Sequence, residues 1–457
     1  MIVMKFGGSS VESAAAIRRV AGIVQARVGR RPLVVVSAMG KTTNRLLAAA
    51  DKAAAGNLED AHRDAEELES FHRRELESII GPTQRGELDA VLEREFSQLD
   101  QTLAAVAEAG DVTPRLWDET AGYGERLSGA LVTLAFQSLG LRAKHVDARQ
   151  ILVTDARHTQ ALPLYGRTYA RFHERVSPML NDNVVVMGGF IGATLDGVAT
   201  TLGRGGSDFS AAIAGAGIGA EEIQIWTDVD GMLTSDPRIV SGGHRIKTIS
   251  FNEAAELAYF GAKVLHPSTV LPAVEKNIPV RILNSRQPDV EGTLIVAEVV
   301  PSTNPVKSIS CKRGITVVNI RSLRMLMAYG FLRRIFEVFD RYRTPVDMVA
   351  TTEVSVSLTI DQTQALAEIE AELSKIADVM VTPEQSVVCL VGEALSETSG
   401  IAARIFTALR GVNIRMISQG ASRLNVSVVV NDGDLVRAVE ALHKEFFSEL
   451  DPRVFET

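Results

Sequence analysis

The first forty residues constrain this chain most. Ile2 to Phe6 is a short apolar run and Gly7-Gly8-Ser9-Ser10 is a turn. Glu12 to Val28 then carries Ile17, Val20, Ile23 and Val24 at helical spacing, and after Pro32 the run Leu33 to Val36 reads as a buried strand. Strand, helix, strand in that order is a βαβ unit, which calls for a parallel sheet covered by helices. The pattern continues with strand-like runs at Ala143 to Val146, Val184 to Met187, Ile223 to Trp226 and Val280 to Ile282. From about Asn44 to Ala109 the chain is rich in Ala, Leu, Glu and Arg at helical period. A first domain is therefore expected over 1–295, with the proline-bearing stretch 296–306 as a linker.

Beyond the linker the chain repeats itself. The helix-like segment opening at Gly330 recurs at Gly400, Val346-Asp-Met-Val is echoed by Ile414-Arg-Met-Ile, and Ser355-Val-Ser-Leu by Asn425-Val-Ser-Val. Each copy reads strand, helix, strand, strand, helix, strand, so two small α+β modules are expected, at 307–385 and 386–457. Such a pair can bind a small molecule or serve only to dimerise the chain.

Composition excludes several classes. A formal net charge of −8, with no run of five basic residues, argues against a nucleic-acid surface. No apolar run reaches the length of a membrane span, and the N-terminus lacks the basic-then-apolar pattern of a signal. Cys311 and Cys389 lie far apart among apolar neighbours, as buried thiols of a reducing compartment do, so a cytoplasmic protein is expected. The histidines show no metal-ligand spacing.

Chemistry concentrates in glycine-rich turns. Lys5-Phe6-Gly7-Gly8-Ser9-Ser10 places a lysine before freed backbone N–H groups at a helix mouth, which suits an anion. The lysine precedes the glycines, unlike a Walker loop. Met187-Gly188-Gly189-Phe190-Ile191-Gly192 is a second such turn. Thr200-Thr201-Leu202-Gly203-Arg204-Gly205-Gly206-Ser207-Asp208 is a third, with a guanidinium held between glycines where it can fork onto a carboxylate. A helix is expected over Phe209 to Ala216, with Ser207 or Asp208 as its N-cap. Trp226-Thr227-Asp228-Val229-Asp230-Gly231 follows a strand, where parallel sheets bind ligands. Arg238 and Lys263 add cations, and several cations converging on hydroxyl-rich turns suit a polyphosphate. Gly215-Ala-Gly217-Ile-Gly219 mimics a dinucleotide fingerprint but stands between a helix and the next strand, the wrong context.

Lys5-Phe-Gly-Gly-Ser-Ser-Val, Gly203-Arg-Gly-Gly-Ser-Asp, Trp226-Thr-Asp-Val-Asp-Gly and Phe260-Gly-Ala-Lys-Val-Leu-His-Pro together resemble the aspartate kinases, in that family's order. The duplicated tail resembles the family's paired ACT domains. The resemblance implies an amino acid kinase fold, an open, mostly parallel eight-stranded sheet between helix layers, followed by two ferredoxin-like ACT domains. It implies transfer of the γ-phosphoryl of ATP, with Mg²⁺, to the side-chain carboxylate of L-aspartate. Lys5 and Asp208 would be catalytic, with Gly7, Gly8 and Ser9 at the phosphates. Ser37, Ala38, Thr43, Glu125, Phe190, Arg204 and Ser207 would surround aspartate, Glu125 taking its ammonium and Arg204 its α-carboxylate. Thr227, Asp228, Leu233, Arg238 and Lys263 would line ATP, although several relatives have Tyr where this chain has Leu233. No metal is expected to be bound by protein side chains alone.

In lysine-sensitive relatives the effector sits in the first ACT unit, matching Met325, Phe331, Leu332, Val346, Asp347, Thr352 and Glu353 here. Met327 and Ala328 replace a histidine and a serine of that pattern. A homodimer or tetramer through the tail is expected. The length leaves no room for a fused homoserine dehydrogenase, so a monofunctional enzyme is expected. Two other readings remain open: a kinase of the same fold acting on a different acid, and an amino-acid sensor with a relic kinase domain.

Overall fold

Alternation along the first strand, β1 (Ile2–Phe6), sorts its side chains between two helix layers. Ile2, Met4 and Phe6 join one large apolar core, while Val3 and Lys5 face the other way. The computed structural model describes residues 1–261, 267–299, 301–322 and 329–456, so the expectations for Lys263, Met325, Met327 and Ala328 lie outside the described residues. The chain separates into two units, Met1–Met232 with Leu265–Glu298, and Leu233–Val264 with Val299–Thr457.

In the first unit β1 is followed by α1 (Ala14–Gln25), which starts on Ser13, whose hydroxyl accepts from Ala16 N–H. Next come β2 (Pro32–Val36), α2 (Thr42–Ala54), α3 (Leu58–Glu77), α4 (Arg85–Ala109) and α5 (Pro114–Ser138). Then follow β3 (Ala143–His145), α6 (Tyr165–Arg171), β4 (Val184–Gly188), a hairpin of β5 (Ile191–Ala193) and β6 (Ala199–Thr201), α7 (Gly206–Ile218) and β7 (Glu222–Thr227). β8 (Thr248–Ser250) and α8 (Phe251–Tyr259) belong to the second unit, after which α9 (Leu271–Glu275), β9 (Val280–Asn284) and β10 (Thr293–Val296) complete the first.

The sheet of the first unit has seven strands among the described residues, in the order β3-β4-β2-β1-β7-β9-β10. They run parallel from β3 to β9, with β10 antiparallel to β9. Helices α1 to α5 bury their apolar stripes with Ile2, Met4, Phe6, Val34, Val36, Val184 and Val186. Helix α7 packs on the opposite face, against β1 and β7. The doubly covered parallel sheet is thus the one that the opening βαβ unit requires. Among the described residues no helix is long and apolar enough to cross a membrane.

The second unit continues with β11 (Ser308–Arg321), α10 (Phe331–Arg341), β12 (Val349–Thr351), β13 (Ser355–Ile360), α11 (Leu366–Leu373), β14 (Asp378–Val391), α12 (Ile401–Ala408), β15 (Met416–Gln419), β16 (Asn425–Asn431) and α13 (Leu435–Phe446). Its antiparallel sheet has the order β12-β13-β11-β14-β16-β15. The repeat is real: Gly330 and Gly400 both adopt left-handed φ, 77° and 79°, immediately before α10 and α12. Registers show how the copies share strands. Ile315–Arg321 pairs with Asp378–Gln385, whereas Ser308–Lys312 pairs with Val387–Val391, the shift falling at the bulge around Gly314. The second copy therefore takes a strand that precedes the first copy in sequence.

Inside this unit Lys307 Nζ donates to Glu253 Oε2 at 2.9 Å, with both side chains 1% exposed. The same Glu253 oxygen accepts from Ser250 N–H and Oγ–H, closing a capping box at the start of α8. Removing one partner of a buried pair strands the other charge. We expect Lys307→Met to cost about 3–5 kcal/mol in chemical denaturation, and Lys307→Met/Glu253→Gln to regain most of it. Equal losses in the two variants would refute the pairing.

Candidate active site

Lys5 sits at the carboxyl end of β1 on the α7 side of the sheet. There its Nζ lies 2.6 Å from Asp208 Oδ1, in the first turn of α7. The helix begins earlier than expected. Gly205 is the N-cap at φ 71°, so Ser207 and Asp208 are inside the first turn and neither caps it. Glycine makes the early start possible: a Cβ on Gly206 would lie 2.5 Å from the Phe190 ring. Asp208 keeps the favourable place of an acid at a helix N-terminus while it holds Lys5. Gly215 and Gly217 lie within α7 and Gly219 caps its end, away from any phosphate-binding geometry of the dinucleotide type.

A cleft of ≈590 Å³ gathers the side chains the sequence singled out. Lys5, Ser37, Thr43 and Glu125 line one part of it; Phe190, Arg204, Ser207 and Asp208 line another. Ala38 joins them through its N–H, which donates to Glu125 Oε1 at 3.2 Å. Gly7, Gly8 and Ser9 form the turn after β1, laced to the turn after β2 by Ser37 N–H to Phe6 O and Gly40 N–H to Gly8 O. Thr227 ends the neighbouring strand β7 with Asp228 just beyond it, and neither is part of the cleft lining; Thr227 Oγ1 donates to Asp228. Leu233 and Arg238 belong to the second unit, where Arg238 is exposed and forks onto Asp236 at 2.6 and 3.0 Å.

Trp117, Thr159 and Gln160 also line the cleft and were not anticipated. Trp117 meets Phe190 edge-on at 6.4 Å between ring centroids, which walls one side with apolar surface. No motif marks Thr159 or Gln160. The only local signal was the position of Trp117 two turns before Glu125 on one helix.

The electrostatics are uneven. Glu125 is buried on α5, and burial pushes its carboxyl up to about 8, against the pull of the Ala38 N–H and of Lys5. Arg204 is exposed at the cleft and pairs with no carboxylate among the described residues. The site thus offers a guanidinium in want of an anion and a carboxyl in want of a cation. Among the described residues no cluster of three His, Cys, Asp or Glu side chains could hold a metal ion. The backbone of α5 runs close to the end of β4 at this point: a Cβ on Gly188 would lie 2.5 Å from Glu125 O.

Comparison with known proteins gives the fold a family. The model of the amino acid kinase family matches residues 1–284, and that of an ACT domain matches 388–446. Aspartokinase 2, chloroplastic, of Arabidopsis thaliana is 40% identical, with 98% of this chain and 85% of that protein aligned. Lysine-sensitive aspartokinase 3 of Escherichia coli is 36% identical over 98% of this chain and 99% of its own. The solved structure of E. coli aspartokinase III in complex with lysine and aspartate superposes with a TM-score of 0.83 at 35% identity, covering 98% of this chain and 100% of that one. Its complex with aspartate and ADP scores 0.80, with the same coverage.

Gly188→Ala provides a check on the packing. With only backbone to give way, we expect a loss of about 1–3 kcal/mol in unfolding free energy. An unchanged melting curve would contradict the contact.

Proposed function

The chain belongs to the aspartokinases, phosphotransferases of the amino acid kinase family, and on that premise we propose that it moves the γ-phosphoryl of ATP onto the β-carboxylate of L-aspartate in this cleft. The observation that carries the reading is the pairing of a buried carboxyl with an unpartnered guanidinium in one cleft. Buried Glu125 suits the substrate ammonium, and unpaired Arg204 suits its α-carboxylate in a bidentate grip. Ser37, Ala38, Thr43, Phe190 and Ser207 enclose the four-carbon acid between them. Lys5, oriented by Asp208, takes the phosphates, with Gly7, Gly8 and Ser9 supplying backbone donors and Thr227 and Asp228 facing the nucleotide at the end of β7. Mg²⁺ enters with the nucleotide as the MgATP substrate, bound chiefly through its phosphates.

The nucleophile is already ionised at neutral pH, so no general base is needed. The obstacle is repulsion between two anions. Alignment and positive charge lower that barrier, which is the task of Lys5 and of Arg204 at opposite ends of the acid.

We place phosphoryl transfer in 1–295 and regulation in the ACT modules, 307–385 and 386–457, which also suit a homodimer or tetramer. A reducing, cytoplasmic setting fits the two free thiols, Cys311 and Cys389. A lysine-like effector would meet Asp347, flanked by Phe331, Leu332, Val346, Thr352 and Glu353. Asp347 already receives Lys312 Nζ at 3.1 Å and the Tyr259 hydroxyl at 3.2 Å, so an incoming ammonium must share it. Titration of activity with lysine and threonine decides the effector.

Aspartate-dependent ADP release tests the activity itself, and a panel of other amino acids in the same assay tests its selectivity. Lys5→Ala should lose about 10²-fold or more in kcat with KM for aspartate near normal, whereas Arg204→Ala should chiefly raise that KM. Turnover of Lys5→Ala close to wild type would remove Lys5 from the phosphates.

A pH profile probes Glu125. The group titrates upward in the free site, so it is mostly protonated at pH 7, while an ammonium ligand needs the carboxylate. We expect kcat/KM for aspartate to rise with a midpoint at about pH 8 and to level off only about one unit above it. Glu125→Gln should flatten that limb; a limb that survives the substitution assigns it to another group.

A further inference from the structure

We propose that Asp118 is a positioning residue that fixes three walls of the aspartate cleft at once, an inference that rests on reading this cleft as the aspartate site. Asp118 lies in the second turn of α5, its side chain fully buried. A buried carboxylate is tolerated only when its lone pairs are met. Here four donor contacts meet them. Thr159 N–H donates to Oδ1 at 2.9 Å and to Oδ2 at 3.1 Å, Thr201 Oγ–H donates to Oδ1 at 2.5 Å, and His158 Nδ1–H lies 2.7 Å from Oδ2.

The donors come from two segments beside the cleft: His158 and Thr159 from one loop, and Thr201 from the end of β6. Thr159 and its neighbour Gln160 line the cleft directly. Thr159 holds φ at 69°, a left-handed conformation that a β-branched residue rarely adopts. It stays there because its N–H is clamped by both oxygens of Asp118. The Thr159 carbonyl in turn packs where a Cβ on Gly203 would sit, 3.1 Å away, so the loop seats the turn that presents Arg204. Thr201 ends β6, three residues before Arg204, and its backbone carbonyl accepts from Ala161 N–H at 2.9 Å. On the helix itself Asp118 stands seven residues before Glu125, two turns along the same face of α5. One buried charge therefore ties the helix that carries the ammonium-binding carboxyl to the loop and the turn that carry the carboxylate grip.

Asp118 touches no part of the cleft volume, so its effect must pass through Thr159 and Arg204. That distinguishes it from a residue that merely supports the fold. Asp118→Ala should raise KM for aspartate about tenfold to a hundredfold, the loss expected for charged hydrogen bonds, with KM for ATP within about twofold. Asp118→Asn, which keeps an acceptor for Thr159 and Thr201, should fall in between. Adding Thr159→Gly to Asp118→Ala should restore part of the aspartate affinity, because glycine adopts the left-handed φ without a clamp. A KM for aspartate within about twofold of wild type in Asp118→Ala, an equal rise in both KM values, or no recovery with Thr159→Gly would each overturn the proposal. If Asp118→Ala does not fold, Thr201→Val removes one clamp contact in an isosteric side chain. It should raise KM for aspartate several-fold, and no change there would overturn the proposal equally. Wild-type protein that shows no aspartate-dependent ADP release refutes the kinase reading itself. Wild-type turnover with indifferent variants refutes only the role of Asp118.

Discussion

The cleft depends on keeping the Glu125 carboxyl dry. A carboxyl in water would be ionised and hydrated, and would bind an ammonium weakly. On α5, where the helix backbone approaches Gly188 at the end of β4, the carboxyl is buried with the Ala38 N–H as its hydrogen-bond donor, and burial disfavours its charged form. The approach at Gly188 needs a residue without a side chain. It places helix and strand end closer than any side chain would allow. The sheet order contributes too, since β1, β2 and β4 are adjacent and parallel, so the turns after them open on the same edge.

From that point the remaining charges arrange themselves in opposition. Lys5 is bound to Asp208 at 2.6 Å and is therefore held at the sheet edge before any ligand arrives. Arg204 has no such partner among the described residues and waits exposed on a turn rich in glycine. A preorganised cation and an unpaired one do different work. On the proposed reading, the first needs no rearrangement to stabilise charge that develops during transfer, and the second gains most when a carboxylate desolvates it on binding.

Much of this was legible in the sequence because motifs at strand ends are local. Lys5, Arg204, Ser207 and Asp208 could be picked out from glycine-rich turns, and the sheet from one βαβ unit. Other features needed partners far along the chain. The cap of α7 was misplaced because the left-handed turn at Gly205 depends on Phe190 packing onto Gly206. Asp118 reads as one more acid on a helix; its importance lies in Thr159 and Thr201, 41 and 83 residues away. Residues 233–264 gave no compositional sign that they pack with the C-terminal unit, and a repeat aligned in sequence order could not reveal that Ser308–Lys312 serves the second copy.

That last packing gives the C-terminal unit a route between its parts. Helix α8 touches both copies of the repeat. Tyr259 donates to Asp347 of the first, while Glu256 accepts from Ser422 and Asn425 of the second at 2.7 Å each. The buried Lys307–Glu253 pair fixes the start of the same helix to the entrance of β11. Around Asp347 the charges do not balance: Lys312 is shared between Asp347 and Asp361, one cation against two carboxylates. A monocation bound there would complete the balance rather than evict Lys312, and it would compete with Tyr259 for the same carboxylate. On the proposed reading, the hydrogen bond that such an effector would disturb is the one that joins the first copy to α8, a helix that Ser310, the second copy and Lys307 also hold.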